Sequence, residues 1–337
     1  MLLLDRVAQY RAPLLLALDG APARHFTVTA PSGYASLLTD CPLRFVLGDD
    51  VAQACGELAF ADGARLAGCL DLIRFPAPLM WIEWNDGVHM RVIEEVTRSG
   101  CPDPRAPGRR AGALIVASAR GREATVRTFW SGEDASCTGE VTLSPVETLI
   151  RLDGGFGVAS EPLAMLEGQE VHVSDDRNEA MATLLDHVRF RFDRTWAEYY
   201  RAATSSPDVQ HRVVEASLAA VVRDTPFLLA FLLLQGAREA TRLVPVSRLA
   251  INRKRAARGR SVLLDHVEVH TSLDAVSAYE PSHSGVVGRQ SPRLHHVRGH
   301  LVRRDDHVFW RSAHVRGSAF RGTIRSRTVH LAFDHRH

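Results

Sequence analysis

The chain has 337 residues, 45% of them hydrophobic and 24% charged, with a formal net charge of +2. These values are those of an ordinary globular protein, and they exclude fibrous, wholly disordered and membrane-embedded classes. The small total conceals a split: residues 242–337 carry eighteen Arg or Lys against seven Asp or Glu, whereas residues 1–241 carry 23 against 32. Eleven of the sixteen histidines also fall in that C-terminal stretch, which therefore suits an anionic partner, nucleic acid first among them. Pairing of an acidic part with a basic part inside the molecule would produce the same split.

In chain order, the opening "MLLLDRVAQYRAPLLLALDG" has charges at Asp5 and Arg6 and lacks the pattern of a secretory signal. Residues 1–170 read as a mixed α/β region in which strand signals are the clearer. "PAPLMWIEW" (76–84) alternates, with Trp81 and Glu83 on one face and Met80, Ile82 and Trp84 on the other. "GALIVASARGREATVRTFW" (112–130) has two apolar runs around a polar turn, the pattern of a hairpin. "CPDPRAPGRR" (101–110) is a Pro- and Arg-rich loop. "DGGFG" (153–157) has no Lys and no following helix to cradle a phosphate, so it reads as a turn. Cys41, Cys55, Cys69, Cys101 and Cys137 form no C-x-x-C pair, which suggests neither a zinc site nor a disulfide framework and fits a reducing cytoplasm.

Residues 171–260 read as helical. Ser174, Asp175 and Asp176 offer caps before "EAMATLLDHVRFRFDRTWAEYYRAA", whose apolar residues recur at spacings of three and four. Ser206-Pro207 and Thr225-Pro226 each place a capping residue before a proline suited to the first helical turn. The second opens "PFLLAFLLLQGA", apolar nearly all round, too short to span a membrane and flanked by Arg223, Asp224 and Arg238; it reads as the central core helix. A basic helix follows in "SRLAINRKRAARGR" and ends at Gly259, with cations in its last turn. Its cluster, Arg253, Lys254 and Arg255, suits phosphate contact; the alternative is a solvated helix end stabilised by the helix dipole.

Residues 261–337 return to strands, beginning with "VLLDHVEVHT". The expected fold is α+β: a mainly antiparallel sheet with a central helical segment packed on one side and a C-terminal basic β-hairpin, the three regions forming one large domain. The hairpin is suggested by a doubled His-Val-Arg-Gly, in "RLHHVRGHLVRR" (293–304) and "WRSAHVRGSAF" (310–320), with "RRDD" as the turn. As strands, the first copy alternates His296, Arg298 and His300 with Val297, Gly299 and Leu301. The second sets Trp310, His314 and Arg316 against Phe309, Ala313 and Val315. A two-residue loop at Asp305-Asp306 would pair Arg304 with His307 and separate the polar faces. A three-residue loop would pair Arg303 with His307 and set His296 opposite His314. The second register is the expectation, because it gathers two His, two Arg and a Trp on one face.

Two chemistries suit such a face, beside a plain structural or docking role. Arg253, Lys254, Arg255, Arg298, Arg303 and Arg316 would contact the phosphates of DNA or RNA, with Trp310 offering a stacking surface. Alternatively, His296 with His300 or His314 would act as acid and base on a phosphodiester without metal. Arginines beside these histidines would repel a metal cation. With no P-loop, dinucleotide fingerprint or H-E-x-x-H, neither a metal nor a small-molecule cofactor is expected, nor is a membrane partner. The third reading is a non-catalytic module that docks on a protein partner.

The stretch from residue 248 onward resembles uncharacterised proteins of bacterial prophages and other mobile elements. The resemblance rests on Asn252, Arg255, Gly259 and Arg260, then Ser291-Pro292-Arg293, His295 or His296, Arg298-Gly299-His300, Arg303-Arg304, Trp310, His314 and Gly317. "PAPLMWIEW" is similar to a Trp-Glu strand that often precedes that element. Where those proteins continue after the tryptophan with an aromatic-Val-Pro-like strand, this chain has Arg311-Ser312-Ala313. The resemblance implies a mobile-element context, and hence an accessory protein, rather than a particular activity.

Overall fold

The computed structural model describes residues 1–9, 31–97, 109–131, 141–155, 161–173, 178–203, 206–237, 240–272, 293–297, 300–305, 307–311, 314–316 and 318–323. The Pro/Arg loop at 101–108, Cys137, the caps at 174–176 and Arg298 lie outside them. The chain forms two compact units, Met1–Gly236 with Thr241–Thr271, and Ala237–Ala240 with Ser272–His337.

The first unit opens with helices α1 (Leu3–Gln9) and α2 (Pro31–Asp40), strand β1 (Leu43–Leu47) and helices α3 (Asp49–Gly56) and α4 (Gly63–Ala67). Strand β2 (Leu79–Asn85), helix α5 (Asp86–Thr97) and strands β3 (Arg110–Ala117), β4 (Glu123–Ser131) and β5 (Val141–Arg151) follow. Then come α6 (Glu179–Leu185), β6 (Val188–Phe192), α7 (Arg194–Ala203), α8 (Pro207–Val222) and α9 (Asp224–Gly236). Strand β7 (Thr241–Val246), helix α10 (Leu249–Ala256) and strand β8 (His266–Thr271) complete the unit.

Its eight strands form one sheet in the order β6-β5-β4-β3-β2-β1-β8-β7. Strand β1 runs parallel to both β2 and β8, and the other five neighbours pair antiparallel, so the α+β class and the mostly antiparallel sheet hold. The parallel pair β1/β2 follows from its connection: a crossover through α3 and α4, which a tight turn could not make. The hairpin read from 112–130 is β3/β4, turning at Gly121, whose φ of +64° suits glycine.

Helices cover both faces of the sheet rather than one. Trp81, Leu114, Phe129 and Leu143 pack against Leu3, Leu4 and Val7 of α1 and Tyr34 and Leu38 of α2. On the opposite face Phe45 and Trp84 meet Phe231 and Phe227 of α9, with ring centroids 5.6 and 5.0 Å apart. A strand buried on both faces loses the polar half of its alternation, and β2 is accordingly apolar on both sides apart from Glu83 and the half-buried Asn85 at its end. That wholly buried carboxylate accepts the Leu3 and Leu4 N–H groups at 2.9 and 2.8 Å and pairs with Arg110, so it anchors the first turn of α1.

The region expected to be helical is interrupted by two strands. Its first predicted helix is α6, β6 and α7 in turn. "VRFRF" has period-two alternation, and β6 pairs along β5. Strand β7 is the second interruption, at the opposite edge of the sheet. Ser206 and Pro207 take the N-cap and first helical positions of α8, without a side-chain cap hydrogen bond, and α9 starts one residue before Thr225-Pro226. The stretch Pro207–Gly236 is long and apolar enough to cross a membrane, but 72% of its most apolar window is buried inside the fold, as befits the core helix.

In the second unit, β9 (Arg293–Val297) lies between β12 (His314–Arg316) and β13 (Ser318–Thr323), and β10 (His300–Arg304) pairs with β11 (His307–Arg311).

Candidate nucleic-acid interface

The densest basic segment forms an arm built from α10 and the segment that returns from it to β8. The sequence explains its shape locally. Arg248 N–H donates to the Asp265 carboxylate, and Ser247 Oγ accepts the Leu249 N–H at 3.3 Å, which together start the helix. Gly259, at φ +63°, ends it in the left-handed conformation, with its own N–H on Ala256 O and Arg260 N–H on Arg255 O, as the cap expectation required. The returning chain is then tied to the helix. Asn252 Nδ2 donates to Leu263 O and its Oδ1 accepts the Leu263 N–H, both at 2.8 Å, while Arg255 Nε donates to Ser261 O at 2.7 Å.

The arm is rooted on α1. Leu264 N–H donates to Asp5 Oδ1 at 2.9 Å, and Gln9 Nε2 donates to Val262 O at 2.9 Å. Burial holds the Asp5 carboxyl above its usual range. The Leu264 N–H pulls it back down, Glu83 pushes it further up, and Arg248 and His266 draw it down more weakly.

Between Thr241 and Leu264 there are seven Arg or Lys and no Asp or Glu. Helix α10 has no buried residue. Arg253, Lys254, Arg258 and Arg260 are exposed, and Arg255 is half-buried along its tether. Among the described residues no carboxylate pairs with any of these five. Unscreened by acids, such a row sets up a local positive potential toward any polyanion.

The expected His/Arg face of the hairpin does not assemble. Arg304 pairs with His307 across a two-residue turn, and His300 falls opposite Arg311 rather than Trp310. The same register continues into β9 and β12, where His314 faces Val297 and His296 faces Val315. His296 and His314 therefore occupy register positions of opposite parity, which corrects the three-residue turn expected from the sequence. The physical reason lies in the turn itself: Asp305 adopts φ 52°, and aspartate tolerates the positive φ that tight two-residue hairpins need. Trp310 takes the position opposite Leu301, which is buried. Arg303 is exposed on β10, and Arg316 lies on β12 opposite His295.

Two further polar constellations escaped sequence reading, because their members are far apart in the chain. At the carboxyl ends of β1 and β8, Asp50 Oδ2 accepts the Thr271 N–H and Oγ1–H at 2.7 and 2.8 Å, and its Oδ1 lies 3.8 Å from His270 Nδ1. Gly48 permits this approach: a Cβ there would sit 2.4 Å from Asp50 Oδ1 and 2.9 Å from His270 Nδ1. In the core, His89 Nε2 lies 3.4 Å from Asp224 Oδ1, with the His89 ring 4.6 Å from that of Phe227. Both constellations join segments of the fold. Among the described residues, no three His, Cys, Asp or Glu side chains are placed to hold a metal ion.

No protein-family model, curated protein or solved structure matches the chain.

Proposed function

We propose that this protein binds nucleic acid through the α10 arm, as an accessory protein of a mobile element in the cytoplasm. One observation carries the reading: seven cations and no carboxylate between Thr241 and Leu264, three of them on a helix that buries none of its residues. A helix contributing nothing to the core has no packing reason to be there, and its charge selects polyanions. The alternative of a histidine-based phosphodiesterase has less support, since the register sets His296 and His314 at opposite parity.

The test is anisotropy of labelled DNA and RNA oligonucleotides, measured at several salt concentrations. Binding that weakens steeply with salt is expected. The triple variant Arg253→Ala/Lys254→Ala/Arg258→Ala should flatten the log–log slope by about two to three, one for each lost phosphate contact. Absence of binding at low salt, or a slope that the variant leaves unchanged, would refute the proposal.

A further inference from the structure

We infer that the arm takes duplex DNA rather than a single strand, with its exposed aliphatics, Leu249 and Ile251 on different sides of α10 and Val262 on the returning segment, serving as separate wedges for the minor groove; this rests on the nucleic-acid reading above. The first argument is what the arm lacks. Single strands are held by aromatic rings on which bases stack, and no Phe, Tyr or Trp lies between Thr241 and Leu264.

The second argument is what the arm exposes. Leu249 is 59% exposed, Ile251 45% and Val262 56%, and Leu243 on β7 is 47% exposed. Half of the eight exposed large hydrophobics among the described residues thus fall in this one short, cationic stretch. Isolated exposed aliphatics are ordinary, but this concentration among unpaired cations is not what solvation alone would favour. Cations draw in the phosphates on either side of a groove, and aliphatic side chains between them can enter a base step and unstack it.

The third argument concerns stiffness and side chains already committed. A wedge must not yield when it meets the stack, and the arm is tied across its width by the Asn252–Leu263 pair and the Arg255–Ser261 bond. Those ties also engage the one amide side chain of α10. Asn252, which would otherwise read adenine in the major groove, spends its oxygen and nitrogen on Leu263. What remains is charge, shape and aliphatic bulk, the equipment of minor-groove binders that bend DNA.

The experiment uses the full chain with a duplex of about 25 base pairs carrying donor and acceptor dyes at its ends and 2-aminopurine at A·T steps. The single strand and the equivalent RNA duplex run in parallel. The DNA duplex should bind about tenfold tighter than the single strand, show increased end-to-end energy transfer, and brighten at 2-aminopurine. The triple variant Leu249→Ser/Ile251→Ser/Val262→Ser should lose the bend and the brightening yet keep the salt slope; an unchanged thermal melt confirms its fold. Equal or tighter binding to the single strand or the RNA duplex, or bending that survives in the serine variant, overturns the inference while leaving nucleic-acid binding in place. Failure of every nucleic acid to bind overturns both.

Discussion

Helix α9 buries every residue from Asp224 to Leu234, whereas α10, a short way further along the same chain, buries none. Each is held by the forces the other lacks. Helix α9 is fixed by apolar area removed from water and by ring contacts such as Phe45–Phe231. Helix α10 is fixed by a glycine cap, a bidentate asparagine and the roots supplied by Asp5 and Gln9. A helix that contributes nothing to the core is free to carry charge that a core would not accept, and its loss would cost the fold little.

The sharpest way to break this comparison is Phe231→Ala. Phe231 is fully buried, so truncation should cost about 3–5 kcal/mol of global stability, read as a lower denaturation midpoint in urea. Asn252→Ala should act locally instead. Losing two hydrogen bonds would cost the arm about 1–2 kcal/mol, seen as roughly tenfold faster amide exchange at Leu263, with the global midpoint scarcely moved. If the midpoint fell as far as in Phe231→Ala, the arm would belong to the cooperative core and the contrast would fail.

The root of the arm should show a smaller effect that depends on pH. Burial raises the Asp5 pKa above its ordinary value of 3.8, so the folded state holds that proton more tightly than the unfolded chain. The stability this contributes is complete below 3.8 and is lost as pH rises through the higher folded value. Asp5→Asn retains an oxygen to accept the Leu264 N–H without a titrating group. Its stability relative to wild type should therefore rise with pH across that window and then level off; a constant difference would show that the carboxyl does not titrate differently in the fold. Smallest of all, Lys254→Ala/Arg258→Ala should leave thermal stability within about 0.5 kcal/mol of wild type, since both residues are exposed. A larger loss would assign these cations to structure rather than to a ligand.

How much of this was legible beforehand varies with the range of the interactions. The β3/β4 hairpin, the Ser206-Pro207 helix start, the buried α9 and the Gly259 cap were all readable, because each depends on neighbours within a turn or two. In β6, three- and four-residue spacings of apolar residues coexist with the alternation of "VRFRF", and pairing with β5 decided between them. The cationic arm could be seen as charge, but its exposed aliphatics and its Asn252 clamp could not. The His/Arg face was misjudged over a single residue of turn length, and one residue is enough to reverse the parity of a whole strand.

By itself, then, the sequence determined the α+β class, the core helix, the capped basic helix and the concentration of positive charge toward its end, because periodicity, turn chemistry and charge are local properties of the chain. Only the tertiary structure decided that helices cover both faces of the sheet, that β1 is parallel to its two neighbours, that Glu83 holds α1 from the interior, and that α10 stands clear of the core. Those outcomes depend on which distant segments share the apolar surface. No single stretch of residues contains that information, since a strand carries the same alternation whichever partner it meets.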